Sequence, residues 1–285
     1  MNLIFTINDG YVYRILPLIQ SIKVNTRDEV KIYLIYDNVS AKNVKMLIDY
    51  VSKISDGRMI FIPVEFHSEA VDQLPVHGKS WSIEVYFRLF APYLILEDKA
   101  LYIDGDVIVN GDIAELYDQN IDEYYMAAIP NDITKEHNQR LGLPDDNLYA
   151  NGGVLLLNLA KIRNDFSEQE IVDILKKNSS IFKFQDQDFI NVAFYQKIKY
   201  VSNKFNYMIN VAEINSTYEQ QKDIRICHYV LEKPWDIKFP YKTDGLYFKY
   251  LTMEGKWYRI PKLWLLHRMY RLYQIICVPK QHRRI

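Results

Sequence analysis

The sequence predicts an α/β protein built around a mostly parallel sheet that is flanked by helices. Short apolar runs, such as Leu3–Ile7 and Lys31–Tyr36, alternate with segments in which apolar residues recur at helical spacing. Alternation of this kind is typical of βαβ units, in which each crossover returns the chain to a parallel strand. With 285 residues, 49% of them hydrophobic, the chain is long enough to bury a large core.

The first strands and helices follow this pattern closely. After the strand Leu3–Ile7, the spacing of isoleucine and leucine predicts a helix over Val12–Val24. Ser40 is a suitable N-cap for the next helix. The third strand, Met59–Val64, contains Pro63, which cannot donate a ladder hydrogen bond and therefore predicts an edge strand or a strand end.

The rest of the sheet is predicted from the second quarter of the chain onwards. A helix is expected from Trp81 to Leu96, and Pro92 should kink or end it. The segment 131–147 has little periodicity and is expected to be a loop. Further strands are expected at Ala100–Asp104, Tyr125–Ile129, in Tyr149–Leu159 after a glycine turn, and at Ile224–Val230, with further helices at Glu168–Lys177 (capped by Ser167) and from Gln185 onwards.

Four polar clusters lie at or just after these strands: Asn8-Asp9-Gly10, Asp104-Gly105-Asp106, Asn151-Gly152 and His228. In open α/β sheets, ligands bind at the carboxyl ends of the strands. Polar groups gathered at one sheet edge make a stronger case for a site than any single cluster does.

The segment Asp104-Gly105-Asp106 has two interpretations. Side chains at i and i+2 of an extended segment point the same way, so both carboxylates would face one point while Gly105 leaves room for a ligand. Two hard oxygen donors suit a divalent ion that also holds phosphates. The alternative is an ordinary turn, because Asp-Gly-Asp is also good turn chemistry.

Charge is distributed unevenly along the chain. The formal net charge is −1, so no global basic field indicates nucleic acid as a partner. Eight of the 35 basic residues lie after residue 254, and no acidic residue lies there. The first 254 residues therefore contain 27 basic residues and all 36 acidic residues. Cys227 and Cys277 have neither zinc-like nor disulfide-framework spacing, which favours a reducing, cytoplasmic setting.

The beginning of the chain is expected to be a strand rather than a signal peptide. The mostly apolar segment Asn2–Ile7 follows Met1 directly, and neither a basic n-region nor a cleavage site accompanies it. No apolar run approaches the roughly 20 residues that span a bilayer. We therefore expect a soluble or membrane-surface protein.

Taken in order, the motifs resemble glycosyltransferase family 8, the retaining GT-A enzymes that use UDP-sugars, and most of all the bacterial lipopolysaccharide galactosyl- and glucosyltransferases. The resemblance implies a GT-A fold with a Rossmann-like, mostly parallel central sheet and a catalytic domain over residues 1–250. It runs from Asn2 to about Trp235 and rests on Phe5–Tyr11, Arg88, Tyr102–Asp106, Asn151–Leu159, Gln185–Asp188, Lys204–Tyr207 and His228–Trp235.

The resemblance places a metal ion on Asp104, Asp106 and His228. Manganese is the usual ion of the family, with magnesium as the alternative, and two carboxylates with one imidazole suit manganese. Taken alone, a histidine in an apolar strand is more often a buried core residue. The nearby Lys233-Pro234-Trp235 favours the metal, because the family uses that lysine on the donor diphosphate.

The resemblance also implies a set of donor-binding residues. Asn8 stands where the family often has an acid, and its amide carbonyl is a weaker acceptor for the uracil N–H. Simpler interpretations exist, since Asn8-Asp9-Gly10 is also a turn, Arg88 also a solvated helix residue, and Asn151-Gly152-Gly153 also a loop. The donor-binding set is Thr6, Asn8, Asp9, Tyr11, Arg88, Asp104, Gly105, Asn151, Gly152, Asp186, Gln187 and Lys233.

The expected catalytic pair is Asp186 and Gln187. Acidic residues favour a helix start on electrostatic grounds alone, which would account for the segment Gln185–Asp188 without any catalytic role. By resemblance, Asp186 binds sugar hydroxyls, Gln187 lies near the β-face of the anomeric carbon, and Asp188 is the structural member of the motif.

One segment departs from the family pattern. Relatives commonly read His-Tyr-x-Gly-x-x-Lys-Pro-Trp, whereas His228–Lys233 is one residue shorter and lacks the glycine. Glu232 adds a negative charge beside the expected diphosphate. The assignment of Lys233 to the diphosphate does not depend on the missing glycine.

The resemblance implies transfer of a hexose, galactose or glucose, from a UDP-sugar to a hydroxyl of a saccharide acceptor with retention, in lipopolysaccharide or surface polysaccharide synthesis. A glutamine is a poor nucleophile, which favours front-face attack over double displacement. Two alternatives stay open. A sugar nucleotidyltransferase should carry a Gly-rich basic loop near the N-terminus, and a catalytically silent nucleotide-sugar-binding protein should have lost metal or donor groups.

Residues 255–285 are predicted to form a basic amphipathic segment. Its basic residues, tryptophan and tyrosine suit the surface of an anionic membrane, which implies peripheral attachment at the inner face of the cell membrane. The alternative is a C-terminal helix packed on the domain. The expected partners are thus a UDP-hexose, a glycan or glycolipid acceptor and a membrane surface. From Lys262 onwards the apolar side of the expected helix comprises Leu263, Leu266, Met269, Tyr270 and Tyr273.

Overall fold

The structure is a computed structural model in which the chain divides into two compact units, each described by itself below. It describes residues 1–77, 82–131, 135–209, 223–230, 233–236, 245–253, 265, 269, 272–273 and 275–277. The first unit comprises residues 1–12, 28–105 and 114–205, and the second comprises residues 13–27, 106–113 and 206–285.

A seven-stranded sheet forms the centre of the first unit, with the order β3-β2-β1-β4-β7-β6-β8. Numbered along the whole chain, its strands are β1 (Asn2–Thr6), β2 (Val30–Tyr36), β3 (Met59–Glu65), β4 (Lys99–Ile103), β6 (Met126–Ala128), β7 (Val154–Asn158) and β8 (Ile198–Tyr200). The pairs β3–β2, β2–β1, β1–β4 and β6–β8 are parallel, whereas β7 runs antiparallel to both of its neighbours, β4 and β6. The predicted mostly parallel sheet is confirmed, and so is the edge position of the strand that contains Pro63.

Helices cover this sheet because their apolar faces complete its core. Leu3, Leu101 and Leu155 on the central strands are fully buried, as expected for a sheet that is covered on both faces. The ring of Phe66 contacts those of Phe87 and Phe90 at centroid distances of 5.1 and 5.2 Å. The helices are α2 (Ala41–Ile54), α3 (Glu69–Asp72), α4 (Phe87–Leu94), α5 (Ala114–Tyr117), α6 (Lys135–Leu141), α7 (Leu159–Asp165), α8 (Glu168–Asn178) and α9 (Gln185–Ala193).

Several helix boundaries differ from those predicted. The helix expected from Trp81, a residue outside the described part, is a 3-10 turn over Ile83–Tyr86 followed by α4. Pro92 lies inside α4, which ends two residues later, at Leu94. Ser167 caps α8, as predicted, and it does so in a capping box with Glu170. The Ser40 side chain makes no capping hydrogen bond to α2.

The predicted loop 131–147 contains the helix α6, which the sequence pattern did not reveal. This helix has seven residues, of which only Asn138 and Leu141 are buried. Two buried positions in a single short helix leave no periodic apolar stripe to detect. Residues 132–134 of the loop lie outside the described part.

The second unit contains a three-stranded sheet and two helices. Its strands are β5 (Val107–Val109), β9 (Tyr207–Met208) and β10 (Ile226–His228), and its helices are α1 (Leu16–Asn25) and α10 (Gly245–Met253). In the order β5-β10-β9, β10 is antiparallel to β5 and parallel to β9. The helix predicted over residues 12–24 begins only at Leu16, where Pro17 fits the first helical turn. The strand of His228 therefore belongs to this small sheet and not to the central one.

Polar side chains fix α1 to the small sheet and to α10. Nδ2 of Asn25 donates to the Val109 carbonyl at 2.9 Å and to the Tyr250 hydroxyl at 2.7 Å. The Ser21 hydroxyl accepts a hydrogen bond from the Val109 N–H at 3.0 Å. The core of the unit includes Ile108, Cys227 and Tyr250, each at most 1% exposed.

The predicted tail helix lies mostly outside the described residues. Met269 and Tyr273, two of its expected apolar positions, are helical and are 56% and 54% exposed. Leu272 and Ile276 are exposed as well, at 56% and 76%. In the part of the chain that the structure describes, there is no helix with both the length and the apolar character needed to cross a membrane.

Candidate active site

The reversed strand β7 explains how the polar clusters of the first unit come together. Thr6 and Asp104 lie at the carboxyl ends of the parallel strands β1 and β4. Because β7 is antiparallel, the turn that precedes it lies at this same edge of the sheet. The Asp104 N–H donates to the Gly153 carbonyl at 2.9 Å, which joins the two segments. The cluster at Asn151-Gly152 therefore reaches the site from the start of a strand and not from its end.

Arg88 is the centre of this cluster. Its side chain is 7% exposed, so it is not the solvated arginine that the helix pattern alone would suggest. One guanidinium nitrogen lies 3.0 Å from Oδ1 of Asp104, Nε lies 3.0 Å from Oδ2 of Asp186, and NH1 donates to the Gly152 carbonyl. A single buried cation thus connects a predicted metal ligand, a predicted catalytic carboxylate and the glycine turn.

Tyr102 holds Asp104 in place. Its hydroxyl donates to Oδ1 of Asp104 at 2.6 Å and lies 3.0 Å from the hydroxyl of Thr6. The Arg88 guanidinium carbon lies 4.1 Å from the centroid of the tyrosine ring, in cation–π contact. Burial, together with the nearby Asp104 carboxylate, raises the pKa of Tyr102 well above its ordinary value, so the hydroxyl keeps its proton as a donor. Thr6, a predicted donor-binding residue, thus lies beside this tyrosine.

Asp186 is a buried carboxylate with an unusual environment. Burial raises its pKa to about 7 despite the opposing charge of Arg88, and the negative charge of Asp104 adds to the rise. Within the described residues, Oδ2 of Asp186 accepts no hydrogen bond, because the Nε–H of Arg88 is directed to the Val85 carbonyl at 3.2 Å. This oxygen is therefore a suitable acceptor for a ligand hydroxyl.

Gln187 and Asn151 are oriented by the glycine turn. Oε1 of Gln187 accepts the Gly152 N–H at 2.8 Å, and Nε2 donates to the Tyr149 hydroxyl at 3.3 Å. Oδ1 of Asn151 accepts the Gly153 N–H at 2.9 Å. A Cβ at Gly152 would lie 3.4–3.5 Å from atoms of Arg88, Asp186 and Gln187. A glycine at this position keeps open the space above all three side chains.

The predicted nucleoside residues lie around a 3-10 turn, Asp9–Tyr11. The Asp9 carboxylate accepts the Ser40 N–H at 2.9 Å and the Asn43 side-chain amide at 2.8 Å, and the Ser40 bond lowers its pKa most. Asp9 therefore contacts the start of α2 through its N-cap residue and its third residue. Nδ2 of Asn8 donates to the Ser82 hydroxyl at 3.1 Å, so its carbonyl oxygen is the group left to accept from a base.

In the second unit, Asp106, His228 and Asn206 form a buried polar group. Nδ1 of His228 lies 2.8 Å from Oδ1 of Asn206, and Nε2 lies 3.2 Å from Oδ1 of Asp106. Burial alone would raise the pKa of Asp106, but the neighbouring side chains of His228 and Lys233 hold it below its usual range. The carboxylate is therefore ionised.

These residues fit a divalent cation. Oδ1 of Asp106 is buried and accepts no hydrogen bond from the part of the chain that the structure describes. When the His228 ring is neutral and donates its Nδ1–H to Asn206, its Nε2 presents a lone pair to that carboxylate oxygen. Two lone pairs that face each other repel unless a proton or a metal cation lies between them. Both side chains belong to a group with metal-ligating spacing.

Lys233 also contacts Asp106. Its ammonium group donates to Oδ2 of Asp106, to the Tyr229 carbonyl at 2.5 Å and to the Val230 carbonyl at 3.2 Å. The lysine is half-buried, with 17% of its side chain exposed. Of the shortened segment, residues 231 and 232 lie outside the described part, so Glu232 is not described.

Some residues of these clusters were not assigned a role from the sequence. Asn206 was noticed only as part of a motif, and Tyr149 only as part of the glycine turn. Asn191 holds that turn to α9: its side chain accepts the Ala150 N–H at 2.7 Å and donates to the Ala150 carbonyl at 3.0 Å and the Gln187 carbonyl at 2.8 Å. The spacing of Gln187 and Asn191 at i and i+4 on one helix face was the available signal.

Solved structures and curated proteins resemble this chain over most of its length. The galactosyltransferase LgtC, solved in complex with donor and acceptor sugar analogs, superposes with a TM-score of 0.76 at 22% identity and covers 90% of this chain and 96% of its own. This likeness confirms the predicted GT-A fold. A lipopolysaccharide 1,2-glucosyltransferase of Escherichia coli is 25% identical over 276 residues, which cover 91% of this chain and 80% of the relative.

Other relatives are longer than this chain. A provisionally named glycosyltransferase of Haemophilus influenzae is 29% identical over 217 residues, or 73% of this chain and 63% of the relative. Glycosyltransferase GlyB of Streptococcus pneumoniae is 25% identical over 83% of this chain and 58% of its own length. The chain thus matches less than two thirds of these two relatives. The family model "Glycosyl transferase family 8" matches residues 2–238, and the chain belongs to this family.

Proposed function

We propose that this protein transfers a hexose, galactose or glucose, from a UDP-sugar to a hydroxyl group of a saccharide acceptor, with retention at the anomeric carbon. The observation that carries the proposal is the pair of Asp106 and the buried His228, whose facing ligand atoms fit a cation. Such a pair in a member of glycosyltransferase family 8 supports binding of a metal–diphosphate group. The name of the Escherichia coli lipopolysaccharide 1,2-glucosyltransferase supports a surface glycan or glycolipid as the acceptor.

The proposed metal ligands are Asp104, Asp106 and His228, and the proposed ion is Mn²⁺ or Mg²⁺. A divalent ion in this position supplies positive charge to the leaving diphosphate. Asp104 is oriented by Tyr102, and the ring of His228 by Asn206. Two of the three proposed ligands thus have a partner that fixes their rotamer, which is the usual support of a metal site.

Lys233 supplies a further positive charge for the same step. Departure of UDP develops negative charge on the diphosphate, and a half-buried ammonium group stabilises it more strongly than an exposed one. In the absence of a diphosphate, Lys233 is held by Asp106 and two carbonyl groups. We propose that it exchanges these contacts for phosphate oxygens when the donor binds.

The first unit is proposed to hold the rest of the donor. Asn8, Asp9 and Tyr11 would contact the nucleoside. The hydrogen bond that Asp9 accepts from the Ser40 N–H, just before α2, fixes the position of its carboxylate. We propose that Arg88, Asn151 and Gly152 contact the diphosphate and the sugar. Asp186 would accept a hydrogen bond from a sugar hydroxyl through Oδ2, which accepts none from the described residues.

Gln187 is proposed to lie at the reacting face of the sugar. Its amide is already hydrogen-bonded at both ends, to Gly152 and Tyr149, so it is oriented before substrate binds. An amide is a poor nucleophile, which favours attack of the acceptor hydroxyl on the same face that UDP leaves. In that route the acceptor oxygen forms the new bond to the anomeric carbon, the bond to UDP breaks, and the leaving phosphate takes the acceptor's proton.

The tail is proposed to attach the protein to the inner face of the cell membrane. The described positions Met269, Leu272 and Ile276 are exposed apolar residues, and the sequence around them is basic. Apolar contact combined with attraction to anionic lipids is the usual basis of such reversible binding.

A panel of UDP-sugars tests the proposed activity. We expect Mn²⁺-dependent release of UDP from UDP-galactose or UDP-glucose and its loss on chelation. Asp106→Asn should lower the rate by about 10²–10³, as is typical when one stabilising group is removed from a dry site. Asp122→Asn, an exposed aspartate, is the matched control and should keep full activity.

Two outcomes would contradict this function. Formation of a UDP-sugar from UTP and a sugar 1-phosphate would indicate a nucleotidyltransferase. Metal-dependent binding of the whole donor panel without any UDP release, even with saccharide acceptors added, would indicate a catalytically silent binding protein.

A further inference from the structure

Asp188 is the most heavily hydrogen-bonded carboxylate that the structure describes in the first unit. It is fully buried. Its Oδ1 accepts from the Tyr149 hydroxyl at 2.6 Å, and its Oδ2 accepts from the N–H groups of Lys183 and Phe184 at 2.7 and 2.8 Å. Arg140 donates to both oxygens, from NH1 to Oδ2 at 2.7 Å and from NH2 to Oδ1 at 2.8 Å.

Arg140 comes from α6, the helix hidden in the predicted loop. Of the donors to Asp188 just named, it alone carries a charge. Burial by itself would raise the pKa of Asp188, but the hydrogen bond from Arg140 and those from Phe184 and Tyr149 more than offset this and lower it. The bidentate geometry fixes the plane of the carboxylate, because turning it would break both bonds at once.

The carboxylate plane in turn fixes Tyr149 and the first turn of α9. Oδ1 receives the tyrosine hydroxyl, while Oδ2 satisfies two backbone N–H groups just before the helix. Gln185, the first residue of α9, has a φ of +41°, a conformation that non-glycine residues adopt only when their surroundings hold them there. The hydrogen bonds that Asp188 accepts from the two residues before Gln185 help to stabilise this conformation.

The Tyr149 hydroxyl connects Asp188 to Gln187 by hydrogen bonds. The hydroxyl that donates to Asp188 also accepts from Nε2 of Gln187 at 3.3 Å. The other end of the glutamine amide accepts the Gly152 N–H at 2.8 Å. A continuous series of hydrogen bonds therefore runs from Arg140 through Asp188 and Tyr149 to the amide of Gln187.

We infer that Arg140 is a positioning residue for sugar transfer: through Asp188 and Tyr149 it fixes the orientation of the Gln187 side chain at the reacting centre. The inference rests on the proposed function of Gln187. It adds a residue of the loop 131–147, 47 positions before Gln187, to the machinery of the reaction. Arg140 itself does not contact Gln187, and its effect is therefore on geometry and not on donor binding.

Substitutions at Arg140 separate this role from general stability. Arg140→Met should lower kcat about 10–100-fold, since a displacement of about 1 Å at the reacting group costs on that order, while KM for the UDP-sugar changes little. Arg140→Lys keeps the charge but cannot bond both oxygens in one plane, so it should recover part of kcat. Arg163→Met is the matched control. Arg163 donates to the carbonyls of Pro92 and Ile95 on the same unit, and its loss should leave kcat unchanged.

Tyr149→Phe tests the middle of the series and avoids the buried charge. It removes one hydroxyl, should fold, and should lower kcat without changing KM for the donor. Adding Arg140→Lys to Tyr149→Phe should cost less than it does in the wild type, because the connection to Gln187 is already broken. Unchanged kcat in both Arg140→Met and Tyr149→Phe, or equal losses in Arg163→Met, would overturn the inference.

A second measurement keeps the inference distinct from the proposed function. The side-chain amide signals of Gln187, identified by their loss in Gln187→Ala, report its orientation by NMR without turnover. Arg140→Met should shift or broaden them, and Arg163→Met should not. If the wild type consumes no UDP-sugar, the proposed function fails, and these signals alone decide the inference: no change in Arg140→Met overturns it.

Discussion

Replacement of Asn206 by alanine should weaken metal binding without removing any metal ligand. Asn206 is fully buried, and its Oδ1 lies 2.8 Å from Nδ1 of His228. Without this acceptor, the ring loses the bond that directs its Nε2 lone pair to Asp106. Removal of a group that orients a metal ligand typically lowers metal affinity about 10–100-fold, or about 1.4–2.7 kcal/mol.

The assay is titration of the protein with Mn²⁺ alone, followed by calorimetry or by loss of the free-ion EPR signal. Asn206→Asp should keep most of the affinity, because a carboxylate also accepts from Nδ1. Asn138→Ala removes an equally buried asparagine of the first unit, which donates to the Asn147 carbonyl, and should leave Mn²⁺ binding intact. The reasoning is refuted if Asn206→Ala binds Mn²⁺ as tightly as the wild type while Asp106→Asn does not.

Three further predictions follow from the site and the tail. The pKa of Asp186 is raised from 3.8 to about 7, so between these pH values the folded state keeps a proton that the unfolded state has lost. The free energy of unfolding should therefore decrease as the pH rises from about 4 through 7. Denaturant melts should show that decrease in the wild type and not in Asp186→Asn. Gly152→Ala should melt normally, because its Cβ finds ordinary contact distances, yet bind UDP-sugars more weakly in calorimetry because the methyl group fills the space beside Asp186. Replacing Arg268 and Arg271 by glutamine should reduce co-sedimentation with anionic vesicles and leave UDP release unchanged, and equal sedimentation would contradict the membrane proposal.

The sequence was most informative where structure depends on local pattern. The strands β1 to β4 are continuous apolar runs, and Pro63 marks the sheet edge because a proline cannot serve an inner strand. The cap at Ser167 was predicted because a serine directly before a segment of helical spacing is a typical helix start, and the structure adds the capping box with Glu170. Such features depend on near neighbours in the chain, which a single sequence displays directly.

Features that depend on distant partners could not be predicted in the same way. The direction of β7 follows from its pairing with β4, and an apolar run is the same in either direction. The place of His228 in a small separate sheet depends on pairing with β5, more than a hundred residues earlier. Likewise, the burial of Arg88 follows from Asp104 and Asp186, which its own helix does not reveal.

The candidate site residues were found through ordered motifs, and their supporting residues were not. Asp104 and Asp186 stand out because acids at strand and helix ends have a recognisable chemistry. Arg140 does not, because an arginine on a short, mostly exposed helix is the commonest kind of surface residue. Its partner lies 48 residues away, and only the folded chain brings the two together.

The reversed direction of β7 also bears on how such a protein can diversify. The residues that enter the site here precede a strand whose five-residue register with β4 is fixed, and the far end of that strand passes directly into α7, where Asn158 caps the helix. Insertions and deletions between α6 and Tyr149 can therefore accumulate without disturbing the sheet or the glycine turn. A lineage could change the length and the surface of this segment while it keeps the sheet and the glycine turn intact.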